Sequence, residues 1–471
     1  MSGPSRKGSL PAAAKDAALA LARKGLTRAP PARAAARPSS ASSPKAADFT
    51  QLPAYQELKT QRGAAALLQI DDPFFRTHDA RAGATSRIAS RQVVNFASYD
   101  YLGLNQHPDV GAAAKAAIDA FGTSVSASRL VAGERPFHRE LEAKIASFYG
   151  VENAVAFVSG HATNVTAISA LVGRNDLVIT DALIHNSAVV GAELSGAARR
   201  SFPHSDLQAL ETILAESRAQ HRNVLIAVEG LYSMDGDVPD LPRLIDIKNR
   251  HGAWLMVDEA HALGVLGARG GGIAEHFGTD PRGVDIWMGT LSKTLASCGG
   301  FIAGSTALVD ILKCSGSGFV YSVGMAPPVA AAAIAAFDLI DREPERIARL
   351  QENCTAFLAK AKAAGLDTGL GQGFAVVPIM VGDSLRAAKL AERLLDHGIN
   401  VMPIVYPAVP MQAARLRFFI SAEHTEEQID TAIAATRLEL DRLIAAKFGL
   451  AQIAASLAAS DIAGKAGGAG P

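Results

Sequence analysis

Short, wholly apolar runs alternate with segments whose apolar residues recur every three or four positions through the middle of the chain. Residues 155–158, 177–179, 224–228, 255–257 and 286–288 are runs of this kind. Brief apolar stretches without polar alternation read as strands buried on both faces. Between them, Leu207, Leu210, Ile213 and Leu214 fall on one face of a helix. Strand–helix alternation predicts an α/β fold, a mostly parallel sheet with helices on both sides. Past about residue 350 the pattern changes. A helix over 355–364 leads to a strand at 376–381, and a second helix over 384–395 is stopped by Gly398. A proline-rich turn, 403–410, precedes a strand at 415–420. Thr425 and Gln428 then form a capping-box signature ahead of Ile429, Ile433, Leu440 and Leu443. This is the pattern of a small C-terminal α+β domain.

Boundaries follow from these shifts. Residues 1–50 are expected to be a disordered basic tail rich in Ala, Pro, Ser and Arg, with Asp16 its only acid before Asp48. Residues 51–95 are an N-terminal arm, 96–350 the large domain and 351–446 the small one, with an Ala/Gly-rich tail over 447–471. An acid-poor, Arg-rich start also suits an organellar transit peptide, the lesser reading.

Composition narrows the function classes. The 471 residues are 49% hydrophobic and 20% charged, with 46 basic and 46 acidic side chains. A balanced charge gives no field favouring nucleic acid. No apolar run approaches the about 18 residues that a membrane span needs. Cys298, Cys314 and Cys354 have neither metal-ligand nor disulfide spacing, so no metal is expected and a reducing, cytoplasmic setting is. Peripheral membrane association stays open.

The chemistry-bearing residues stand where apolar runs end. The run at 255–257 ends in Asp258-Glu259-Ala260-His261, and the run at 286–288 in Gly289-Thr290-Leu291-Ser292-Lys293-Thr294. Ligands of open α/β sheets gather at the carboxyl ends of strands. A lysine and an acid there are the parts a pyridoxal phosphate (PLP) site needs: one amine to hold the cofactor, one carboxylate to pair with its ring nitrogen.

Several motifs in order resemble one known family. They are Asn95-Phe96-Ala97-Ser98-Tyr99-Asp100-Tyr101-Leu102-Gly103-Leu104, Ser128-Arg129 with Gly133 and His138, and Ser159-Gly160-His161-Ala162-Thr163-Asn164. Glu229-Gly230-Leu231-Tyr232-Ser233-Met234-Asp235-Gly236-Asp237, the Asp258 and Lys293 stretches, and the 409–417 segment follow. From about Asn95 to Leu443 the chain resembles the α-oxoamine synthases, fold-type I PLP-dependent transferases.

That resemblance implies roles. Lys293 is the cofactor-holding and proton-shuttling lysine, Asp258 the partner of the ring nitrogen, and His185 the imidazole stacked on the ring. His261 and Ser233 are expected near the ring's phenolic oxygen; Ser159, Gly160, His161 and Thr290 near the phosphate. Arg417 is the expected holder of the amino acid's carboxylate, with Arg415 and Tyr99 beside the substrate. Arg129, His138 and Glu142 are framework, and Tyr321-Ser322 is expected to reach a partner's site in a homodimer. The implied reaction joins an amino acid to an acyl thioester, on CoA or a carrier protein, with loss of CO2, giving an α-amino ketone. The wording around Tyr99 looks more like the serine palmitoyltransferases, which favours serine and a long-chain thioester. Condensation of alanine with a pimeloyl thioester, as in 8-amino-7-oxononanoate synthases, is the alternative, and transamination a further one.

Overall fold

In a computed structural model the chain is described over residues 48–410 and 412–449. The N-terminal stretch through residue 47 and the Ala/Gly-rich stretch from 450 onward lie outside the described residues. After a helix at Pro53–Leu67, an antiparallel pair forms from β1 (Thr85–Ile88) and β2 (Arg91–Asn95). The large domain follows with β3 (Asn153–Phe157), β4 (Leu177–Asp181), β5 (Ala198–Phe202), β6 (Val224–Glu229), β7 (Trp254–Asp258), β8 (Ile286–Thr290) and β9 (Gly300–Gly304). These seven make one sheet in the order β3-β9-β8-β7-β6-β4-β5. Only β9 runs against the rest, pairing antiparallel with both β3 and β8.

The five expected strands are present, and two more join them. β5 carries Ala198-Arg199-Arg200-Ser201 exposed at the sheet edge, with only Phe202 buried, so it lacks an apolar run. β9 reads Gly-Phe-Ile-Ala-Gly and resembles a loop in sequence. Its glycines have a steric cause: a Cβ at Gly300 would lie 2.8 Å from the Gly160 Cα and 2.6 Å from the Thr163 hydroxyl. The helix Gly160–Leu171 therefore seats directly on the sheet. The glycine-rich 267–272 stretch is tied down by the Glu275 carboxylate, which accepts from the Arg269 and Gly271 amides.

The framework residues are as expected. Arg129 forms a buried ion pair with Glu142, and the Glu142 carboxylate also accepts from the Ala156 amide of β3 at 3.0 Å and from Lys313 at 2.8 Å. His138 contacts the Met325 carbonyl at 3.0 Å.

The smaller domain contains β10 (Val376–Gly382), β11 (Ile399–Asn400), β12 (Met402–Ile404) and β13 (Ala414–Phe419). Its sheet has the order β10-β13-β12, while β11 pairs with β2, so the N-terminal arm packs on this domain. Helices Ser384–Asp396 and Glu426–Ala445 cover it, the second opened by the reciprocal Thr425/Gln428 cap. Phe96 lies against Phe418 and Phe357 (centroids 5.3 and 5.9 Å) and stacks on His424 at 4.2 Å. Among the described residues no helix is long and apolar enough to cross a membrane.

At Gly236 the turn after β6 comes close to β10 of the smaller domain. It has φ 70°, and a Cβ there would lie 1.9 Å from the Val376 carbonyl oxygen of β10. Gly365 has a similar φ of 72° with open space around it. Gly365→Ala should cost only the left-handed backbone penalty, about 1–2 kcal/mol. Gly236→Ala should lower the thermal unfolding midpoint clearly further; equal shifts would mean that the contact with β10 yields freely.

Candidate active site

Four strands of the large sheet end in polar residues at one edge: Asp181 on β4, Glu229 on β6, Asp258 on β7 and Thr290 on β8. Asp258 is buried, and its two oxygens are held from different elements. One accepts from the Ala260 amide at 3.0 Å, the other from the Asn164 side-chain amide at 2.8 Å. The same Asn164 nitrogen donates to the Ser187 hydroxyl at 2.9 Å, and that hydroxyl meets His185 Nδ1 at 2.7 Å. The Ser187 amide also donates to Nδ1, at 3.3 Å. Nδ1 is therefore an acceptor, which leaves the proton of a neutral imidazole on Nε2. A relay of hydrogen bonds thus orients Asp258 and His185 together.

Lys293 lies in the loop between β8 and β9, half-buried. Its neighbours are anchored: Leu291 and Leu295 are fully buried, and the Thr294 hydroxyl donates to the Leu263 carbonyl at 2.7 Å. Lys293 Nζ stands 5.7 Å from the centre of the Tyr99 ring. Burial lowers its pKa to about 8, against the opposing pull of the Asp258 and Glu229 carboxyls. About a tenth of this amine is neutral at pH 7, far more than of a surface lysine.

Glu229, to which the family resemblance assigns no role, is buried beside Asp258 at matched register on the adjacent strand. One oxygen accepts from the Ser233 amide at 3.0 Å and the other is unpartnered. Burial, reinforced by the Asp258 charge, raises its pKa to about 8. The two carboxyls therefore differ: Glu229 holds its proton while Asp258 faces the Asn164 amide. The signal was present, since the run at 224–228 also ends in an acid.

The remaining expected residues surround these. His261 is buried, its Nδ1 2.6 Å from the Tyr101 hydroxyl and its ring parallel to Phe419 at 6.1 Å. Burial, then the charges of Lys293 and Arg417, keep it neutral by driving its pKa well down. Arg417 donates to the Ser233 carbonyl at 2.9 Å, lies 4.7 Å above the Phe419 ring, and has a buried, unpartnered Nε. Tyr99 packs edge-on to Phe419 at 4.8 Å.

Arg415, the lesser candidate of the two arginines for substrate binding, has a structural role here. It is committed to the Asp235 carboxylate and to the Met234 and Ala413 carbonyls. Both arginines reach the 233–235 turn, as two residues one strand period apart should. Arg415 fastens that turn, and of the two arginines Arg417 is the one with a buried nitrogen lacking a partner.

Ser159 caps the helix Gly160–Leu171, its hydroxyl accepting from the Ala162 amide at 3.3 Å. A Cβ at Gly160 would lie 2.8 Å from the Thr290 hydroxyl, so only glycine lets the helix start come this close to β8. Thr290 donates to the Gly299 carbonyl at 2.9 Å. His161 is exposed, with its ring 6.3 Å from that of His185. The edge therefore gathers a helix N-terminus suited to a phosphate, a strand-end carboxylate, a low-pKa amine and a guanidinium. The orphaned Asn164 Oδ1, Glu229 Oε1 and Arg417 Nε are buried polar atoms. This donor set fits PLP and an amino acid's carboxylate.

Comparison with known proteins agrees. The family model for class I and II aminotransferases matches residues 91–435. An 8-amino-7-oxononanoate synthase of Symbiobacterium thermophilum is 41% identical over 350 residues, 74% of this chain and 89% of its own. Another, from Methylococcus capsulatus, is 43% identical over 338 residues, covering 72% and 86%. The structure of Sphingomonas wittichii serine palmitoyltransferase matches with a TM-score of 0.79 at 29% identity, covering 83% of this chain and 98% of its own.

The lowered pKa of Lys293 is open to direct measurement. An amine reagent attacks the neutral form, so in cofactor-free protein labelling of Lys293 should rise with pH through about 8. Exposed lysines should follow about two pH units later. Peptide mapping across that range tests this, and co-titration of Lys293 with the surface lysines would refute it.

Proposed function

Since the chain belongs to the class I and II aminotransferase family and, within it, to the α-oxoamine synthases, PLP-dependent acyltransferases, we propose that it condenses L-alanine with a pimeloyl-type acyl thioester. Atoms balance as amino acid plus thioester giving α-amino ketone, CO2 and free thiol; with these substrates the ketone is 8-amino-7-oxononanoate. The observation that carries this choice is the 41–43% identity to 8-amino-7-oxononanoate synthases over roughly three quarters of the chain. The expected serine palmitoyltransferase-like reaction rests on less: the wording around Tyr99, and a structural likeness at 29% identity. A few residues in one loop weigh less than identity spread through the whole fold.

In this reading Lys293 holds PLP through its ε-nitrogen, and Asp258 pairs with the ring nitrogen. Bound PLP supplies an electron sink for the charge left at the amino acid's Cα. Asp258, oriented by Asn164 and Ala260, keeps its carboxylate aimed where that charge is drawn. His185, with its tautomer set by Ser187, would pack against the bound cofactor. His261, fixed by Tyr101, and Ser233 lie toward the phenolic oxygen. Ser159, Gly160, His161 and Thr290 cradle the phosphate. Lys293, with its pKa near 8, takes the Cα proton and returns it at the end. Arg417 would pair with the substrate carboxylate through its unpartnered nitrogen and so orient the amino acid. Tyr99 borders the amino acid's side chain.

A homodimer belongs to the same proposal. Tyr321 and Val131 are more than four-fifths exposed, and Leu130 and Val323 about half exposed. Their loops adjoin, since the Ser128 hydroxyl donates to the Val320 carbonyl. An apolar cluster of this kind suits a second copy of the chain.

Purified protein with PLP should release CoA thiol from pimeloyl-CoA only when L-alanine is present, forming the amino ketone seen by mass spectrometry. Borohydride should fix the cofactor on the Lys293 peptide, and Lys293→Ala should lower turnover by about 10³-fold or more. Faster reaction of serine with palmitoyl-CoA would replace this substrate assignment. Pyridoxamine phosphate formed without thiol release would instead favour transamination.

A further inference from the structure

We infer that His204 is a positioning residue that locks the loop carrying His185 to the turn that seats Arg417. The inference rests on the roles proposed above for those two residues.

His204 follows the edge strand β5 and reaches across the end of β4 toward the segment after β6. Its Nδ1 meets Asp181 at 2.9 Å and its Nε2 meets Asp237 at 2.9 Å. The imidazole is 14% exposed, and the two carboxylates 1% and 7%. The Tyr232 ring packs edge-on against it at 4.5 Å. One ring thus bridges two carboxylates that belong to different loops.

Each carboxylate governs one side of the site. Asp181 ends β4 and accepts from the Leu183 amide at 2.8 Å and the Ser205 amide at 2.8 Å, shaping the turn that delivers His185 two residues later. Asp237 closes the other turn, its carbonyl accepting from the Tyr232 amide at 2.9 Å. Within that turn the Ser233 carbonyl accepts from Arg417, and Met234 and Asp235 hold Arg415. Strands β4 and β6 are hydrogen-bonded, but their registered pairs stop at Thr180 and Ala227. Beyond that point His204 joins the two loops directly through its side chain, with Tyr232 of the second turn also acting on Asp181.

Charge strengthens the bridge. Burial alone would push the His204 pKa down, yet Asp181 and Asp237 carry it up to about 10. The facing titratable groups are Asp181 on β4, Asp237 and Tyr232 on the turn, and Glu229 behind Tyr232. The folded pKa lies above the ordinary value of about 6.5. The bridge therefore stabilises fully below about pH 6.5 and is lost as pH rises through about 10.

His204→Gln removes the charge and cannot span both carboxylates. The expected result is a KM for alanine, and a Kd from the visible spectrum of the PLP-loaded protein, weakened about tenfold or more, as for displaced binding groups. The KM for the acyl thioester should stay within about twofold, a split that general loss of fold would not produce. In cofactor-free protein, the wild-type advantage in thermal midpoint over His204→Gln should shrink between pH 7 and 10. If His204→Gln does not fold, Asp237→Asn, which cuts one arm, decides by the same alanine KM. A folded variant with alanine KM within about twofold of wild type overturns the inference. Arg417→Ala separates the two layers. If it too leaves alanine binding intact, the carboxylate role of Arg417 fails; if it weakens binding while the His204 variant does not, only the bridge fails.

Discussion

Burying the Asp258 carboxylate is the constraint on which the rest of the site depends. An ionised carboxyl removed from water is costly unless it is hydrogen-bonded and partnered. Here its oxygens are satisfied by a backbone amide and by Asn164, which also addresses Ser187 and hence His185. One polar requirement at the end of β7 therefore dictates a helix position, a hydroxyl and an imidazole tautomer. The neighbouring Glu229 resolves the same difficulty differently, by retaining its proton. Lys293 faces the two carboxyls with an amine that burial has already weakened as a base.

Arginine use at the small-domain side shows the same economy of polar groups. Arg415 and Arg417 point to one turn from one strand face, yet only Arg417 has a buried nitrogen without a partner among the described residues. Arg415 fastens the turn, and in the proposed function Arg417 is the binder. The distinction lies in Asp235, which a sequence pattern of alternating arginines cannot reveal.

Much of the fold was legible because burial on both faces leaves a plain mark. The runs at 155–158, 224–228 and 286–288 became β3, β6 and β8, and the Thr425/Gln428 cap opens its helix. What was not legible has physical causes. β5 is an edge strand whose arginines face solvent, and β9 is thinned to glycines by the helix above it. Within the site, Lys293 and Asp258 stand out because a charged residue ends an apolar run. Asn164, Tyr101 and His204 act through partners 94, 160 and 33 residues away respectively, and no local pattern announces such pairs. The substrate preference inferred from Tyr99 shows the converse weakness, since a single loop carries little weight beside similarity distributed over the chain.

The reversal of β9 has a consequence for how the lysine can move. Thr290 and Gly300 are registered partners, so the nine-residue loop 291–299 is a closed bend between antiparallel neighbours. Its main chain is stitched at Leu291 to Gly299 and again at Ser297 to Leu291. With both ends of the loop held this way, the movement that the proposed function asks of Lys293, between cofactor and substrate, falls to the four methylenes of its side chain.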